Sequence, residues 1–236
     1  SLGVNVDFSL NANLASATNN INFEMFGEVP LPVSRLISGT IKGFQSQGVL
    51  ASVKDFPGTG SQIVSDKKAN YLEEPKTSLH AVNLLPFREA IKSNVSFMVM
   101  GNTVVESIDS LGFPMSISKT GIRYLRDELA YSGFIVADGS EVDKLKDFCS
   151  DDNFALTAFK AGCDIFIGIE NVSKSVKEIE LSVLKGEIEL QEINKRCIDI
   201  LRYKYRTLIH SREDSELNEE MKEAFQKLAY EKGAVV

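Results

Sequence analysis

The chain has 236 residues, 43% hydrophobic and 25% charged, which suits one α/β domain with a sizeable core and excludes a disordered or fibrous chain. Its net charge is −7 and no basic stretch is interleaved with aromatics, so nucleic acid is not expected as a partner. The longest apolar runs are about six residues, too short for a transmembrane segment. The three cysteines, Cys149, Cys163 and Cys197, fit neither a disulfide framework nor a metal template, so free thiols, no metal and no cofactor are expected.

In chain order, Ser1-Leu2-Gly3 leads straight into the apolar run Val4–Phe8, with no signal peptide and no initiator methionine. Any targeting signal would lie upstream, and the compartment stays open. Pro32–Gln47 carries Val33, Leu36, Ile37, Ile41 and Phe44 at helical spacing and stops at Gly48. Val49–Val53 is the next apolar run. Leu84–Lys92 reads as a helix with proline in its first turn and precedes the run Phe97–Met100. Met115–Ser118 reads as a further short strand. Thr120–Ala130 repeats Ile122, Leu125 and Leu129 as a helix ahead of Phe134–Ala137. Asn153–Ala161 is helical and leads to the run Asp164–Ile169. Val172–Lys185 and Leu190–Leu208 are further helices separated by Gly186. Ser211–Glu223 is charged and reads as a linker, Phe225–Tyr230 as a short helix, and Gly233–Val236 as the start of another strand. The expected division is 1–208 as one domain and 209–236 as a linker with the entrance to a second.

The apolar runs are rich in Val, Ile and Phe and lack polar alternation, as strands buried on both faces do. Strand then helix, repeated, means βαβ units and a parallel sheet. A (β/α)8 TIM-type barrel needs eight strands. On that reading the first two or three strands would precede residue 1. An open doubly wound sheet is the alternative that pattern alone leaves standing.

Barrel enzymes place reacting groups at the C-terminal ends of their strands. The residues after each run therefore matter: Lys54-Asp55-Phe56-Pro57-Gly58-Thr59-Gly60, Gly101-Asn102, Asp138-Gly139 and Gly168-Ile169-Glu170. Lys54, Asp55, Asn102 and Asp138 are expected to converge on one mouth. Taken singly, each could be a helix cap, a turn or a rim ion pair.

Lys54–Gly60 resembles the Lys-His-Phe-Pro-Gly-His-Gly signature of glycoside hydrolase family 3, in its β-N-acetylglucosaminidase branch. Other blocks are similar in the same order: Gly3–Phe8, Phe26-Gly27-Glu28, Leu84–Arg88, Pro114–Ser118, Leu125–Leu129, Gly133–Asp138, Ala158–Asp164 and Ile193–Tyr205. The tail from Phe225 is similar to the entry into that family's second α/β domain. The resemblance implies a TIM-type barrel, a carbohydrate ligand and a retaining glycosidase mechanism. In that mechanism a carboxylate attacks the anomeric carbon and water later releases the sugar. Asp138 matches the nucleophile.

The same resemblance shows departures. The branch's acid/base is a histidine in an Asp-Ser-His triplet. Here Asp66 matches the aspartate and Lys68 stands at the histidine, with Lys67 as the alternative if the alignment slips by one. The ordinary lysine pKa, about 10.4, makes it a poor general acid at neutral pH. The sugar-contacting Lys-His pair becomes Lys54-Asp55, the second motif histidine Thr59, a loop arginine Glu24, and the histidine after the next strand Asn102. His80, read as lying in the loop before Leu84, and His210, in the linker, are not expected in the site. Two functions fit. One is a glycosidase acting on amino-sugar glycans such as peptidoglycan fragments, with altered or impaired catalysis, in which Asp55 is a candidate proton donor. The other is an inactive homologue kept as a sugar-binding or structural module.

Overall fold

A computed structural model of the protein describes residues 4–15, 25–59, 68–150 and 153–209, together with Lys227. Residues 1–190 form one compact unit and residues 191–236 a second.

In the first unit, strand β1 (Val6–Asp7) is followed by helix α1 (Pro30–Ser46) and strand β2 (Leu50–Phe56). Proline in the first turn of α1 costs nothing, because the N–H it lacks would be unpaired there anyway. Val33, Ile37 and Ile41, four residues apart, put one stripe of α1 into the core. A two-residue strand β3 (Asn70–Tyr71), helix α2 (Lys76–Ala81) and helix α3 (Leu85–Lys92) lead to β4 (Phe97–Met100) and a second two-residue strand, β5 (Thr103–Val104). Helix α4 (Lys119–Arg123) widens into a π turn over Tyr124–Glu128 before β6 (Phe134–Asp138). Helix α5 (Phe154–Ala161), β7 (Ile165–Ile167) and helix α6 (Val172–Leu184) complete the unit. In the second unit the described element is the amphipathic helix α7 (Leu190–Ile209), whose Glu192 pairs with Arg196 one turn on at 2.5 Å.

The main sheet is parallel, in the order β1-β2-β4-β6-β7. Each strand lies beside the next in sequence, and none jumps back across the first. A doubly wound sheet reverses its strand order at a switch point; this one does not. It is a parallel half-barrel. β3 and β5 pair separately, Asn70 with Thr103 and Tyr71 with Val104.

All of β4 is buried, which explains its unbroken apolar sequence. Phe97 pairs in register with Phe134 on one side and Ser52 on the other. One residue beyond the Asp7–Ala51 pair, Phe8 comes level with Ser52. The three rings form a row, with centroids 5.3 Å apart for Phe8–Phe97 and 5.7 Å for Phe97–Phe134. Serine is the small residue that lets Phe8 reach across β2 to Phe97. Its buried hydroxyl has no hydrogen-bond partner among the described residues.

At the N-terminal ends of the strands, Arg126 clamps the sheet. Its Nη1 donates to the carbonyls of Tyr131 (2.9 Å) and Gly133 (2.5 Å), and its Nη2 lies 2.9 Å from Asp164 Oδ2. Asp164 Oδ2 also accepts the Ile135 N–H at 2.8 Å. In barrel folds this end carries stability and the opposite end carries chemistry.

Several expectations need correction. Met115–Ile117 is a 3-10 turn, not a strand. The Ile117 and Ser118 N–H groups return to Pro114 and Met115, so Ser118 Oγ is placed to accept the Gly121 N–H and cap α4. His80 lies in α2, not in a loop, with Nε2 hydrogen-bonded to the Tyr124 hydroxyl. The expected linker, short helix and final strand beyond residue 209 fall outside the described residues, apart from Lys227.

Candidate active site

The C-terminal ends of β2, β4 and β6 form one rim. Leu10–Ala12 continue the first strand beside it: Lys54 N donates to Leu10 O at 3.0 Å and Ala12 N to Lys54 O at 2.7 Å. β2 carries Lys54 and Asp55 to its end and then turns sharply, with the Gly58 N–H returning to Asp55 O at 2.7 Å. Gly58 has φ +104°, a conformation that glycine adopts without strain. The Lys54–Asp55 and Phe56–Pro57 peptides are cis.

Gly101 follows β4 and donates its N–H to Phe56 O at 2.9 Å. A Cβ at Gly101 would stand 3.2 Å from both Asp55 Cβ and Phe56 O, so glycine is what permits Asp55 to sit where it does. Asn102 spans the next gap. Its Nδ2 donates to Asp138 O at 3.0 Å, and its Oδ1 accepts from Ser116 Oγ at 2.5 Å. The Asp138 side chain is partly exposed at the end of β6, with Oδ1 accepting the Ser140 N–H at 2.8 Å.

Asp55 is partly exposed at the mouth, but protein packs closely round its carboxyl. Burial raises its pKa above the ordinary aspartate value, and the Asp138 and Glu141 carboxylates raise it further. The Lys54 ammonium and a hydrogen bond from Asn13 pull it the other way, and burial prevails. The rim thus holds two carboxyl groups within electrostatic reach of each other, one biased toward its protonated form.

Among the residues singled out from sequence, Lys54, Asp55, Asn102 and Asp138 stand together on this rim. Lys68 does not join them in any described contact: its Nζ lies 4.0 Å from Asp147 Oδ2, and the two side chains are 73% and 71% exposed. Glu24, Asp66 and Lys67 fall outside the described residues, as does His210. Cys163 is buried, Cys149 half-buried and Cys197 exposed. Among the described residues no group of three His, Cys, Asp or Glu side chains could hold a metal ion, and no helix is long and apolar enough to cross a membrane.

Sequence reading missed Asn13, Ser116 and Glu141. Asn13 is 1% exposed and bonds Asp55 Oδ2 at 3.2 Å from 42 residues away. The one available signal was its place just beyond an apolar strand.

Residues 1–203 match the Glycosyl hydrolase family 3 N terminal domain. Among curated proteins, the chain is 30% identical over 215 residues to Beta-hexosaminidase A of Pseudoalteromonas piscicida, covering 83% of this chain and 36% of that protein. It is 25% identical over 198 residues to a Beta-hexosaminidase of Idiomarina loihiensis, covering 82% of this chain and 59% of the relative. Among solved structures, it superposes on a glycoside hydrolase family 3 beta-N-acetylglucosaminidase from Paenibacillus sp. with a TM-score of 0.79 at 26% identity, covering 89% of this chain and 41% of the other. The fold is also shared with the beta-glucoside phosphorylase BglX, at TM-score 0.81 and 17% identity, over 90% of this chain and 40% of that one. The chain spans less than two thirds of the length of each of these proteins. It belongs to glycosyl hydrolase family 3, as a β-hexosaminidase-like form of that family's N-terminal domain.

Proposed function

We propose that this domain is the catalytic part of a retaining β-N-acetylglucosaminidase with an altered proton donor: Asp138 is the nucleophile and Asp55 supplies the proton. The observation that carries the reading is the pair of carboxyl groups on one rim in unlike surroundings. Asp55 is biased toward its neutral form by burial, and Asp138 is oriented by Ser140 and Asn102.

In the first step Asp138 bonds to the anomeric carbon as the glycosidic C–O bond breaks, and Asp55 passes its proton to the leaving oxygen. In the second, Asp55 as carboxylate takes a proton from water, the water oxygen attacks the anomeric carbon, and the Asp138 ester is released. In this reading Lys54, whose charge acts on Asp55, binds a sugar hydroxyl. The substrate class is a β-linked N-acetylglucosaminide, as in peptidoglycan fragments, which accords with the names of the relatives.

The test compares, in the full-length protein, an aryl substrate with a good leaving group, 4-nitrophenyl β-N-acetylglucosaminide, against an unactivated disaccharide. Asp138→Ala is expected to abolish turnover of both. Asp55→Asn is expected to abolish turnover of the disaccharide, whereas the aryl substrate, which needs little protonation to leave, still gives a burst of 4-nitrophenol followed by slow release of the sugar, because the second step has lost its base. Two observations favour a second reading, a non-catalytic sugar-binding module: Lys68 sits beside exposed Asp147, and both ends of the Asn102 amide are engaged within the protein. Sugar binding with negligible turnover, unchanged by Asp138→Ala, would establish that module instead.

A further inference from the structure

We infer that Asn13 is a positioning residue that aims the Asp55 carboxyl and confines its proton to Oδ1. Both ends of its buried amide are committed: Oδ1 accepts the Thr59 N–H at 3.1 Å, and Nδ2 donates to Asp55 Oδ2 at 3.2 Å. A backbone N–H can only donate, so the carbonyl end of the amide must face Thr59 and the NH2 end must face Asp55. The amide cannot flip without setting two donors against each other at Thr59 and two acceptors against each other at Asp55. The Asn13 N–H is itself held by Asn11 Oδ1 at 2.9 Å, which fixes the backbone carrying the clamp. Ala12 N–H bonds Lys54 O, so the clamp is mounted on the strand pair that carries Lys54 and Asp55. Asp55 and Thr59, the two ends of the turn, are thereby held by one side chain.

The consequence is chemical. Asp55 Oδ2 already receives an N–H, so a proton on that oxygen would point at another donor; the neutral carboxyl carries its proton on Oδ1. The charged groups facing Asp55 are the Lys54 ammonium and the Asp138 and Glu141 carboxylates. Lys54 and Asn13 favour the ionised form, and the two carboxylates oppose it. Removing the Asn13 donor tips that balance toward the proton.

The catalytic meaning of this clamp rests on the function proposed above, whereas the geometry does not, and one experiment separates them. The Cγ resonances of 13C-labelled aspartates are titrated in the full-length protein, with Asp55 assigned by the loss of its signal in Asp55→Asn. Asn13→Ala deletes the clamp, and Asn13→Leu keeps its size without a donor or a new charge should the alanine variant fail to fold. The Asp55 midpoint is expected to rise by about one pH unit in either variant, the scale of one hydrogen bond to a charged group. The alkaline limb of kcat/KM is expected to rise with it. An unmoved midpoint overturns the inference, even in an active enzyme. A raised midpoint in a protein that turns over no sugar upholds the clamp and removes only its catalytic meaning.

Discussion

Gly168→Ala tests how the end of β7 supports Asp138. Gly168 has φ +67°, and a Cβ there would lie 2.6 Å from Ser140 N, 3.0 Å from Ser140 Cα and 3.0 Å from Asp138 Oδ1. Two of those three atoms are backbone, which cannot swing aside as a side-chain tip can. If Ser140 moves, the 2.8 Å bond that orients Asp138 is lost. Gly186 is the matched control, since it has φ +74° and nothing within 4 Å of its added Cβ. Alanine at Gly186 therefore meets only the left-handed backbone penalty, about 1 kcal/mol. Alanine at Gly168 meets that penalty, an overpacking cost of about 1–3 kcal/mol and the loss of a charge-assisted hydrogen bond. The expected loss is about 3 kcal/mol or more, roughly 2 kcal/mol beyond the control. Urea unfolding of the full-length protein, read as the midpoint shift at constant slope, measures both. Equal losses in the two variants would refute the packing assigned to Gly168.

Other perturbations have equally definite outcomes. Ser52→Ala removes a buried hydroxyl that has no partner among the described residues and is expected to leave stability unchanged or raise it by about 1 kcal/mol in urea unfolding. Arg126→Met keeps the apolar stem but removes the cation paired with Asp164 and the side-chain donor to two carbonyls, leaving Asp164 with the Ile135 N–H, and is expected to cost about 2 kcal/mol with sugar binding intact. Burial, with help from Glu128 and against Arg88, pushes the Tyr124 phenol up to about 12. Its folded pKa exceeds its unfolded value of 10.0, so its contribution to stability is complete below pH 10 and disappears as the pH rises through about 12. Tyr124→Phe is expected to abolish that part of the alkaline decline and to remove a component near pH 12 from an ultraviolet tyrosine titration. For Asp55 the raised pKa has the same sense: its contribution is present below the ordinary value of 3.8 and is lost as pH rises through the folded pKa. Asp55→Asn is therefore expected to stabilise the protein at pH 7 relative to pH 3, and a loss at pH 7 would contradict the burial assigned to that carboxyl.

The strands were legible where both faces are buried, because Phe97–Met100 and Ile135–Ala137 then need apolar residues without interruption. The rim was legible for a related reason: polar residues that end such runs have no core to enter, so Lys54, Asp55, Asn102 and Asp138 stood out. Helix α2 was not legible, because its six residues bury only Leu79 and show no period. β3 and β5 are two residues each and pair with one another, Val104 bridging also to Pro114, so neither carries a periodic pattern of its own. Asn13 escaped notice because its role depends on partners 42 and 46 residues away, a distance that local pattern does not span. The strand order that distinguishes a half-barrel from a doubly wound sheet is likewise a matter of long-range pairing.

The nucleophile is the claim on which the functional account turns, and covalent trapping tests it most directly. The full-length protein is incubated with a fluorinated N-acetylglucosaminyl fluoride, which forms the glycosyl-enzyme readily and releases it slowly. Intact mass and peptide mapping then locate the label. A single sugar on Asp138, absent in Asp138→Ala, is the expected result. A label on another residue, or none on a protein that binds the sugar, would contradict it.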